Sequence, residues 1–437
     1  MGSAMPDRIV LSTMGSLGDL HPFIAIALRL KERGYDPVIA TSPHFLENVV
    51  AEGIGFHPVG PSRDDIFRDL HMDADEFGRC VMKDTLFILQ GAIFPYLKSM
   101  YEDSFPVING AALVLTSSLL FAARFAAERL RVPQMTVALQ PMVFISAYDP
   151  PCVDVAPWLA PVLSKLGPDA ARIVYGLGKR AASRKAAALY SFRRELGLPE
   201  THSDPLFEGQ FSSHGTFALY SSLLGAVQPD FPLNTALTGF TFYDGNVGPA
   251  LTSELKEFLA SGPSPLVFTL GSFAVEFADD FFQASLDAAR LLGMRAVVLV
   301  GAQKREAYRT GSSSDVYVCD YAPFSLLFPH ARANIHHGGI GTVGQALRAG
   351  KPQLIVPFLS DQFDNAARVV RLGVARTIAR KRYTSRRVAA ELRLLLVEST
   401  YASRSAIVGG EISREDGAGS VTRAIDRFLG SPRLRSE

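Results

Sequence analysis

The sequence predicts an α/β protein in which two open, mostly parallel sheets face each other across a cleft. Short β-rich runs alternate with amphipathic helical runs at the start of the chain, and the alternation restarts at Pro265. Strand–helix–strand units of this length imply parallel strands joined by right-handed crossovers. A segment rich in proline and glycine, residues 225–250, separates the two halves. Such segments are typical of domain boundaries, so we expect two domains and one hinge.

The first half opens with a predicted strand, RIVLSTMG, that runs into a glycine-rich turn between Gly15 and Asp19. The next run, HPFIAIALRLKERG, has apolar residues at helical spacing and ends at Gly34, a residue typical of helix C-caps. PVIATS follows as a strand, FLENVVAEG as a helix and IGFHPVG as a strand. Residues 60–110 and 145–210 are more irregular and predict helical insertions over the first sheet.

The second half has the same organisation. Its predicted strands are PLVFTLGS, AVVLVG, VYVCDYAP, ANIHHGG and QLIVPF, with helices such as DDFFQASLDAARLLG between them. Helical spacing returns late in the tail, in VTRAIDRFLG. We therefore divide the chain into a first domain (5–225), a linker (226–250), a second domain (251–405) and a helical tail (406–437), for which packing back on the first domain is one option.

Composition and charge exclude several classes of function. The net charge of +1 leaves no electrostatic footprint for nucleic acid, and no basic tail indicates an anionic membrane. Three widely spaced cysteines argue against a disulfide framework or a zinc site. No apolar run approaches the roughly 20 residues of a membrane span. We expect a native start at Met5 without a signal peptide, no stable membrane insertion, a cytoplasmic location, and either a monomer or a homodimer.

A glycine-rich turn in the second half is the strongest candidate for an anion site. HGGIGT lies between the predicted strand ANIHH and the predicted helix TVGQALRAG, so backbone N–H groups and a helix dipole meet at one point. A tight turn that requires small residues is the structural alternative. Gly339-x-Gly341-x-x-Gly344 also matches a dinucleotide-binding fingerprint, with Asp361 at the spacing of a ribose-binding acid.

Three features argue against a redox cofactor at this turn. The turn follows about the fourth strand of its half, whereas a dinucleotide fingerprint usually follows the first strand. The histidine pair before the glycines has no role against a dinucleotide's pyrophosphate. Asp361 and Gln362 together suit the hydroxyls of a polyol. We therefore predict a diphosphate with a sugar beyond it, and a redox enzyme is the least favoured alternative.

Three motifs between residues 336 and 369 carry a family resemblance: H-H-G-G-x-G-T, A-L-x-A-G-x-P-Q-L-x-x-P and D-Q-x-x-N-A-x-R-V. They resemble the donor-binding segment of family 1 glycosyltransferases, which have the GT-B fold of two Rossmann-like domains facing across a cleft. The turn G-S-L-G-D-L-H-P, the hinge T-G-F-T-F-Y-D-G and the strand L-V-F-T-L-G-S fit the same family. The chain is most similar to the bacterial branch with the rhamnolipid rhamnosyltransferase and the antibiotic and sterol glycosyltransferases.

The resemblance implies that the second domain binds a UDP- or dTDP-sugar as co-substrate, with no other cofactor. His337 is expected to contact the diphosphate, and Asp361 with Gln362 to hold the sugar hydroxyls. Gln345 stands where many members have a glutamate on the ribose, and a weaker acceptor there leaves the nucleoside open. The other donor-binding residues implied by the resemblance are Gly18, Ser272, Tyr321, Ala322, Pro323, Gly339, Ile340, Gly341 and Thr342.

Sugar transfer with inversion requires a group that removes a proton from the acceptor hydroxyl. The resemblance places an aspartate after the first strand in this branch, and Asp19 is that residue. With an ordinary pKa of about 3.9, such a carboxylate is ionised but is a weak base unless it is desolvated. His21 is the competing candidate for the base, and a helix N-cap is the structural alternative for Asp19.

Other polar and aromatic residues have simpler interpretations. Asp73-x-Asp75 resembles the metal-chelating DxD motif of a different glycosyltransferase fold, but a solvated acidic turn is favoured, and we predict no metal site. Trp158 and the phenylalanines between residues 80 and 160 are predicted mainly as core. Some of them are expected to line an apolar acceptor pocket beside Asp19.

These observations together predict a metal-independent, inverting glycosyltransferase. It would move glucose, or a deoxysugar such as rhamnose, to a hydroxyl of a lipophilic small molecule or natural product. The first domain would bind the acceptor and the second the donor. Two alternatives stay open: an epimerase that acts on a nucleotide sugar without an acceptor, and a non-catalytic nucleotide-sugar binding module.

Overall fold

Parallel strands form the centre of each half of the chain. The computed structural model describes residues 6–84, 86–201, 203–245, 250–271, 275, 278, 280–302, 308 and 313–430. Within these residues the first half contributes the strands β1 (Arg8–Ser12), β2 (Asp36–Thr41), β3 (Gly55–Pro58), β4 (Leu113–Ser117), β5 (Gln134–Ala138), β6 (Thr216–Ala218) and β7 (Thr235–Leu237). The second half contributes β8 (Leu266–Thr269), β9 (Ala296–Leu299), β10 (Val316–Cys319), β11 (Ala333–His336), β12 (Gln353–Ile355) and β13 (Ala375–Thr377).

Helices cover both faces of the two sheets. In the first half they are α1 (Leu17–Glu32), α2 (Leu46–Val50), α3 (Arg63–Leu70), α4 (Ala74–Lys83), α5 (Leu97–Ile108), α6 (Phe121–Leu130), α7 (Leu159–Leu166), α8 (Pro168–Lys185) and α9 (Ala187–Glu195). In the second half and the tail they are α10 (Ser253–Ala260), α11 (Phe281–Leu292), α12 (Phe324–Leu327), α13 (Ile340–Arg348), α14 (Gln362–Arg371), α15 (Ser385–Val397), α16 (Ser399–Ile412) and α17 (Gly417–Phe428).

The strand order confirms the predicted fold class of two α/β domains with parallel sheets. The first sheet has the order β3-β2-β1-β4-β5-β6-β7 and the second the order β10-β9-β8-β11-β12-β13. The paired strands run parallel in both sheets. Central strands are apolar runs without alternation because both faces are covered, and Ile9, Val10 and Leu11 of β1 are completely buried. The order reverses at β1 and at β8, as it does in doubly wound sheets.

Two sequence expectations differ from the structure in detail. Strand β7 lies inside the segment 226–250 that was predicted as linker, so the first sheet extends into it. The insertion after β3 was predicted to lie over the first sheet, but Phe77 and Val81 belong to the core cluster of the second domain. The reason is the apolar face of α4, which is buried in the same cluster as Phe281 and Phe358.

The tail crosses back to the first domain. Helix α16 stays with the second domain, where Gly409 packs so closely on Gly350 that a Cβ atom would overlap it. Helix α17 then buries Val421 and Ile425 in the cluster that contains α1. The predicted boundary at 405/406 falls inside α16, and the chain leaves the second domain only after it.

The tail and the hinge cross between the domains side by side. The Phe240 N–H of the hinge donates to Glu415 Oε2 at 2.9 Å. A Cβ atom at Gly417 would lie 2.6 Å from the Gly239 carbonyl oxygen, so only glycine permits this approach. The Phe240 ring packs against Gly344 of α13. The two crossings therefore form one connected structure between the domains.

A buried ion-pair network also joins the domains. Arg368 of α14 pairs with Asp364 at 2.6 Å and with Asp149 of the first domain, and it donates to the Leu224 carbonyl at 2.9 Å. The Arg368 and Asp364 side chains are almost fully buried. Because a buried charge without its partner is unfavourable, this network should contribute to the docking of the domains.

We predict that Arg368→Ala lowers the free energy of unfolding by about 3–5 kcal/mol, because it leaves Asp364 buried without its cation. The matched control is Arg371→Ala. Arg371 also pairs with Asp149, but its side chain is 58% exposed. Its expected cost is below about 1 kcal/mol. Chemical denaturation of the two variants measures the difference, and equal midpoints would refute the structural role of Arg368.

Candidate functional site

The turn after β1 holds Asp19 in a fixed position. Ser16 is the N-cap of α1, and its N–H and hydroxyl both donate to Asp19 Oδ2, at 2.7 and 3.0 Å. The Gly18 N–H donates to Ser16 Oγ at 3.2 Å. Gly15 has φ of 132° and lies against the carboxyl of Asp19, so a larger residue does not fit there. The structural alternative for Asp19 was therefore wrong in detail: the N-cap is Ser16, and Asp19 completes a capping box.

Burial raises the pKa of the Asp19 carboxyl above its ordinary value, although the hydrogen bonds from Ser16 act in the opposite direction. Both bonds from Ser16 use Oδ2, so Oδ1 is not needed for the cap. A carboxylate with a raised pKa accepts a proton more readily than an ordinary aspartate does. The same residue can therefore cap the helix and act as a base.

His21 lies on a different side of α1. Residues two apart on a helix do not face each other. The His21 ring packs against Tyr243 of the hinge, with 5.0 Å between ring centroids, and the Tyr243 hydroxyl donates to Glu52 at 2.6 Å. Burial lowers the pKa of His21 to about 4, so the ring is neutral at pH 7. The structure thus separates the two candidate bases.

The first histidine after β11 is a structural residue. His336 is completely buried, its Nε2 bonds to Gln353 Oε1 at 2.9 Å, and its Nδ1 accepts from the Gly338 N–H at 3.1 Å. These partners fix the tautomer with the proton on Nε2. Burial lowers the pKa of His336 to about 4. The ring therefore holds the turn in place and is not available to a ligand.

The second histidine, His337, fits between two glycines. A Cβ atom at Gly271 would lie 2.6 Å from the imidazole, and one at Gly339 would lie 2.5 Å from its Nε2. Burial, followed by the neighbouring His336, lowers the pKa of His337 to about 3. Its Nδ1 is buried and has no hydrogen-bond partner among the described residues. Buried polar atoms are nearly always paired, so this nitrogen is a candidate for a hydrogen bond with a ligand.

The N-terminus of α13 is the centre of the predicted anion site. Its N-cap is Gly339, which offers no side chain to the amides of the first turn. Those amides belong to Ile340, Gly341 and the buried Thr342. A Cβ atom at Gly341 would be 3.6 Å from Gly18 Cα, so the N-termini of α13 and α1 meet across the cleft. The positive ends of two helix dipoles therefore lie close together.

The loop after β12 brings a second carboxylate to the same place. Ser360 has φ of 50°, and the next residue is Asp361. The Asn365 amide donates to Asp361 Oδ2 at 2.7 Å and to the Gly338 carbonyl at 3.0 Å. Burial raises the pKa of Asp361 to about 7, and the charge of Asp19 adds to this effect. Asp19 and Asp361 are thus close enough across the cleft for their charges to interact.

The amide oxygen of Gln362 is held by its own loop. Its side chain is buried, and its Oε1 accepts hydrogen bonds from the N–H groups of Phe358 and Leu359, at 2.8 and 3.2 Å. The amide oxygen thus stabilises the loop, and the predicted contact of Gln362 with the sugar hydroxyls stays a prediction for its Nε2. Asn365 is buried beside Asp361 and donates to its carboxyl, and the D-Q-x-x-N motif contained this signal because residues four apart share a helix face.

The predicted nucleoside side of the site has a partner that the sequence did not reveal. Gln345 donates to Asp244 of the hinge at 3.3 Å, and its Oε1 has no partner among the described residues. Arg348 also donates to both Asp244 oxygens, at 2.9 and 2.7 Å. Asp244 was missed because no spacing rule connects the hinge with α13.

The other residues predicted to bind the donor lie around the start of α12 or outside the described residues. Ala322 is part of the core under α12, and Pro323 is the N-cap of that helix. Tyr321 is half exposed and influences Tyr243 electrostatically, so it lies near the hinge. Ser272 lies outside the described residues.

The acidic motif at Asp73 is part of a helix end. Asp73 caps α4, accepting from the Glu76 N–H at 2.8 Å. Among the described residues, no cluster of three histidine, cysteine, aspartate or glutamate side chains is arranged to hold a metal ion.

Comparison with known proteins gives a consistent assignment. Residues 9–144 match the glycosyltransferase family 28 N-terminal domain, and residues 284–425 match the C-terminal domain of erythromycin biosynthesis protein CIII-like proteins. The chain is 28% identical to the vancomycin aglycone glucosyltransferase of Amycolatopsis orientalis, over 96% of this chain and 97% of that protein. It is also 28% identical to a sterol 3-beta-glucosyltransferase of Neurospora crassa, over 97% of this chain but only 27% of that longer protein.

Solved structures show the same architecture. The glycosyltransferase VinC in complex with dTDP superimposes with a TM-score of 0.65, at 20% identity, over 97% of this chain and 99% of that one. The matching N- and C-terminal domain families and the two facing parallel-sheet domains agree with each other. The chain therefore belongs to the family 1 glycosyltransferases with the GT-B fold.

Proposed function

We propose that this glycosyltransferase transfers a sugar, with inversion and without a metal ion, from a UDP- or dTDP-sugar to a hydroxyl of a lipophilic natural product or sterol. The observation that carries the proposal is the position of Asp19, across the cleft from Asp361 and beside the N-terminus of α13. The names of the relatives support the acceptor class, because they act on an antibiotic aglycone and on sterols.

The donor half of the proposal rests on the turn after β11. A diphosphate at the N-terminus of α13 would accept hydrogen bonds from the first-turn amides, and the helix dipole would stabilise its charge. The orphaned Nδ1 of His337 is available as a further donor in the tautomer that carries its proton there. Backbone amides and a neutral imidazole thus supply the stabilisation that a metal ion provides in other transferases.

Asp361 is proposed to hold the sugar hydroxyls. Its Oδ2 is bound by Asn365, and the carboxyl lies at the N-terminus of α14. With a pKa of about 7, this group is partly protonated at neutral pH, which weakens its repulsion of a diphosphate and of Asp19. The bound sugar would therefore lie between Asp361 and the base.

Asp19 is proposed as the base. It would take the proton of the acceptor hydroxyl while the oxygen attacks the anomeric carbon from the face opposite the diphosphate. The new glycosidic bond forms as the bond from the anomeric carbon to the diphosphate oxygen breaks, and the nucleoside diphosphate leaves with that electron pair. One displacement of this kind inverts the anomeric configuration. The raised pKa of Asp19 suits this role because it strengthens the base.

The nucleoside remains either uridine or thymidine in this proposal. Gln345 and Asp244 together offer an unpaired amide oxygen and a carboxylate, which can accept from ribose hydroxyls. The dTDP complex of VinC supports a thymidine diphosphate donor as one of the two choices.

We predict that Asp19→Asn lowers kcat by about 10²–10⁴-fold while nucleotide affinity changes only a few-fold. The asparagine oxygen can still accept from Ser16, so the helix cap is kept and only basicity is lost. The measurement is the initial rate with UDP- and dTDP-sugars and a hydroxylated acceptor, with the anomeric configuration of the product read by NMR.

His21→Gln is the matched control and should retain most of the activity. Retained turnover in Asp19→Asn, or a larger loss in His21→Gln, would contradict the assignment of the base. Conversion of the donor to an isomer in the absence of any acceptor would indicate an epimerase activity instead of the proposed transferase activity.

We predict that His337→Ala weakens nucleotide binding by roughly tenfold, because it removes one hydrogen bond to a charged group. Isothermal titration calorimetry with UDP and dTDP measures this change. His330→Ala, at an exposed histidine, is the control and should bind as the wild-type protein does. Unchanged affinity in His337→Ala would argue against a diphosphate at this turn.

The raised pKa of Asp361 predicts how the stability of the protein depends on pH. Its folded-state pKa of about 7 lies above its ordinary value of 3.8, so the folded protein binds more protons than the unfolded chain between these values. The contribution of Asp361 to the free energy of unfolding is therefore lost as pH rises from about 4 to about 7.

Asp361→Asn should remove this slope and should make the unliganded protein more stable above pH 7, by on the order of 4 kcal/mol. Denaturation midpoints from pH 5 to about 8 check the prediction. Parallel curves for the two proteins would show that Asp361 is ionised throughout.

A further inference from the structure

A helical hairpin on the first domain exposes large apolar side chains. The hairpin, residues 155–185, comprises α7 and α8 joined at Gly167. Trp158 is 65% exposed, which corrects its predicted place in the core, and Leu166 and Ile173 are exposed to a similar degree. Helix α8 has eighteen residues but buries only Ala171. A helix of a globular domain normally buries a whole apolar stripe, so the hairpin has apolar surface that none of the described residues covers.

The exposed apolar residues form two stripes. On α7 and its N-cap, Trp158, Val162 and Leu166 are spaced by four residues and share one face. On α8, Ile173 and Leu177 are also four residues apart. Helical spacing then puts Arg180 and Arg184 on the same face as Leu177, one and two turns further along. On this face of α8 two exposed apolar side chains are thus followed by two exposed arginines.

Positive charge is concentrated in the same segment. Residues 155–185 contain six basic residues and one acidic residue, so the segment carries +5 in a chain whose net charge is +1, and the remainder carries −4. Lys179, Arg172 and Lys185 are paired with acidic side chains. Three exposed basic residues form no ion pair within 4 Å among the residues that the structure describes: Lys165, Arg180 and Arg184. Arg180 and Arg184 line one pocket with Asp204 and Glu208.

We propose that this hairpin docks the protein on the surface of an anionic lipid bilayer. Tryptophan, leucine and isoleucine beside unpaired arginines are typical of helices that lie in the plane of the interface, with apolar side chains at the acyl boundary and cations at the lipid phosphates. A positively charged surface with exposed apolar residues matches an anionic membrane in charge and in polarity. The net charge of the whole chain, +1, gave no indication of this local excess of positive charge.

The docking does not require crossing the membrane. Among the described residues, none of the helices has both the length and the apolar character to span a bilayer. The hairpin is connected to the cleft through Arg172, which donates to the Tyr148 hydroxyl at 3.0 Å. The next residue, Asp149, is the partner of Arg368 in the interdomain network. Docking would place the cleft near a lipophilic substrate dissolved in the bilayer, but it does not depend on the proposed function.

The test is co-sedimentation of the full chain with vesicles of phosphatidylcholine alone and of phosphatidylcholine with about one third phosphatidylglycerol. The wild-type protein should bind the anionic vesicles at least tenfold better than the neutral ones, and about 0.5 M salt should weaken this binding. Leu177→Glu should lower the partition coefficient by roughly tenfold or more. Arg180→Glu with Arg184→Glu should do the same by charge reversal.

The matched control is Ile407→Glu on α16, because Ile407 is 63% exposed and Leu177 is 62% exposed. It should bind vesicles as the wild-type protein does, and unchanged melting temperatures should show that all variants fold. Absence of binding to anionic vesicles would overturn the proposal, as would equal losses in Leu177→Glu and Ile407→Glu. A wild-type dimer that Leu177→Glu converts to a monomer, without vesicle binding by either, would assign the surface to a second copy instead.

Discussion

The close approach of two helix N-termini is the constraint on which the site depends. Gly341 of α13 and Gly18 of α1 come from different domains, yet only a few ångströms separate their backbones. A Cβ atom at Gly341 would already be in van der Waals contact with Gly18, so the positive ends of both helices act on one point. The carboxyl groups of Asp19 and Asp361 lie around this point. Burial raises the pKa of both, and the charge of Asp19 raises the pKa of Asp361 further.

Burial, and not formal charge, sets the chemistry of the cleft. His336 and His337 are both kept neutral by their surroundings, one as a fixed structural donor and the other with a free nitrogen. Neither supplies a positive charge, so the attraction for an anion comes from oriented amides. Such groups are already aligned before a ligand arrives and need little reorganisation when it binds. The buried network of Arg368, about two turns further along α14, supports this arrangement by holding that helix against the first domain.

Local patterns made much of the fold and part of the site predictable from sequence. The apolar runs of β1 and β11, each followed by glycines and a helix, identified both turns that meet in the cleft. Side-chain direction was not predictable: Gln362 has the residue type of a sugar ligand, yet two backbone N–H groups take its oxygen. Contacts between distant segments were also hidden, as at Asp244 beside Gln345. Trp158 was predicted in the core because large aromatic residues are usually buried, and no sequence pattern revealed its exposure.

The paired crossings at Phe240 and Glu415 have a mechanical consequence. The two chain segments are hydrogen-bonded to each other and can act together as a hinge. Moving the domains straight apart would break the contacts of both segments. The remaining low-energy motion is a tilt of one domain against the other. Such a tilt stretches the contact between Arg368 and Asp149, which lies outside these two segments. A movement that separates Arg368 from Asp149 would leave a buried arginine with one partner fewer, so this ion pair favours the closed arrangement of the domains.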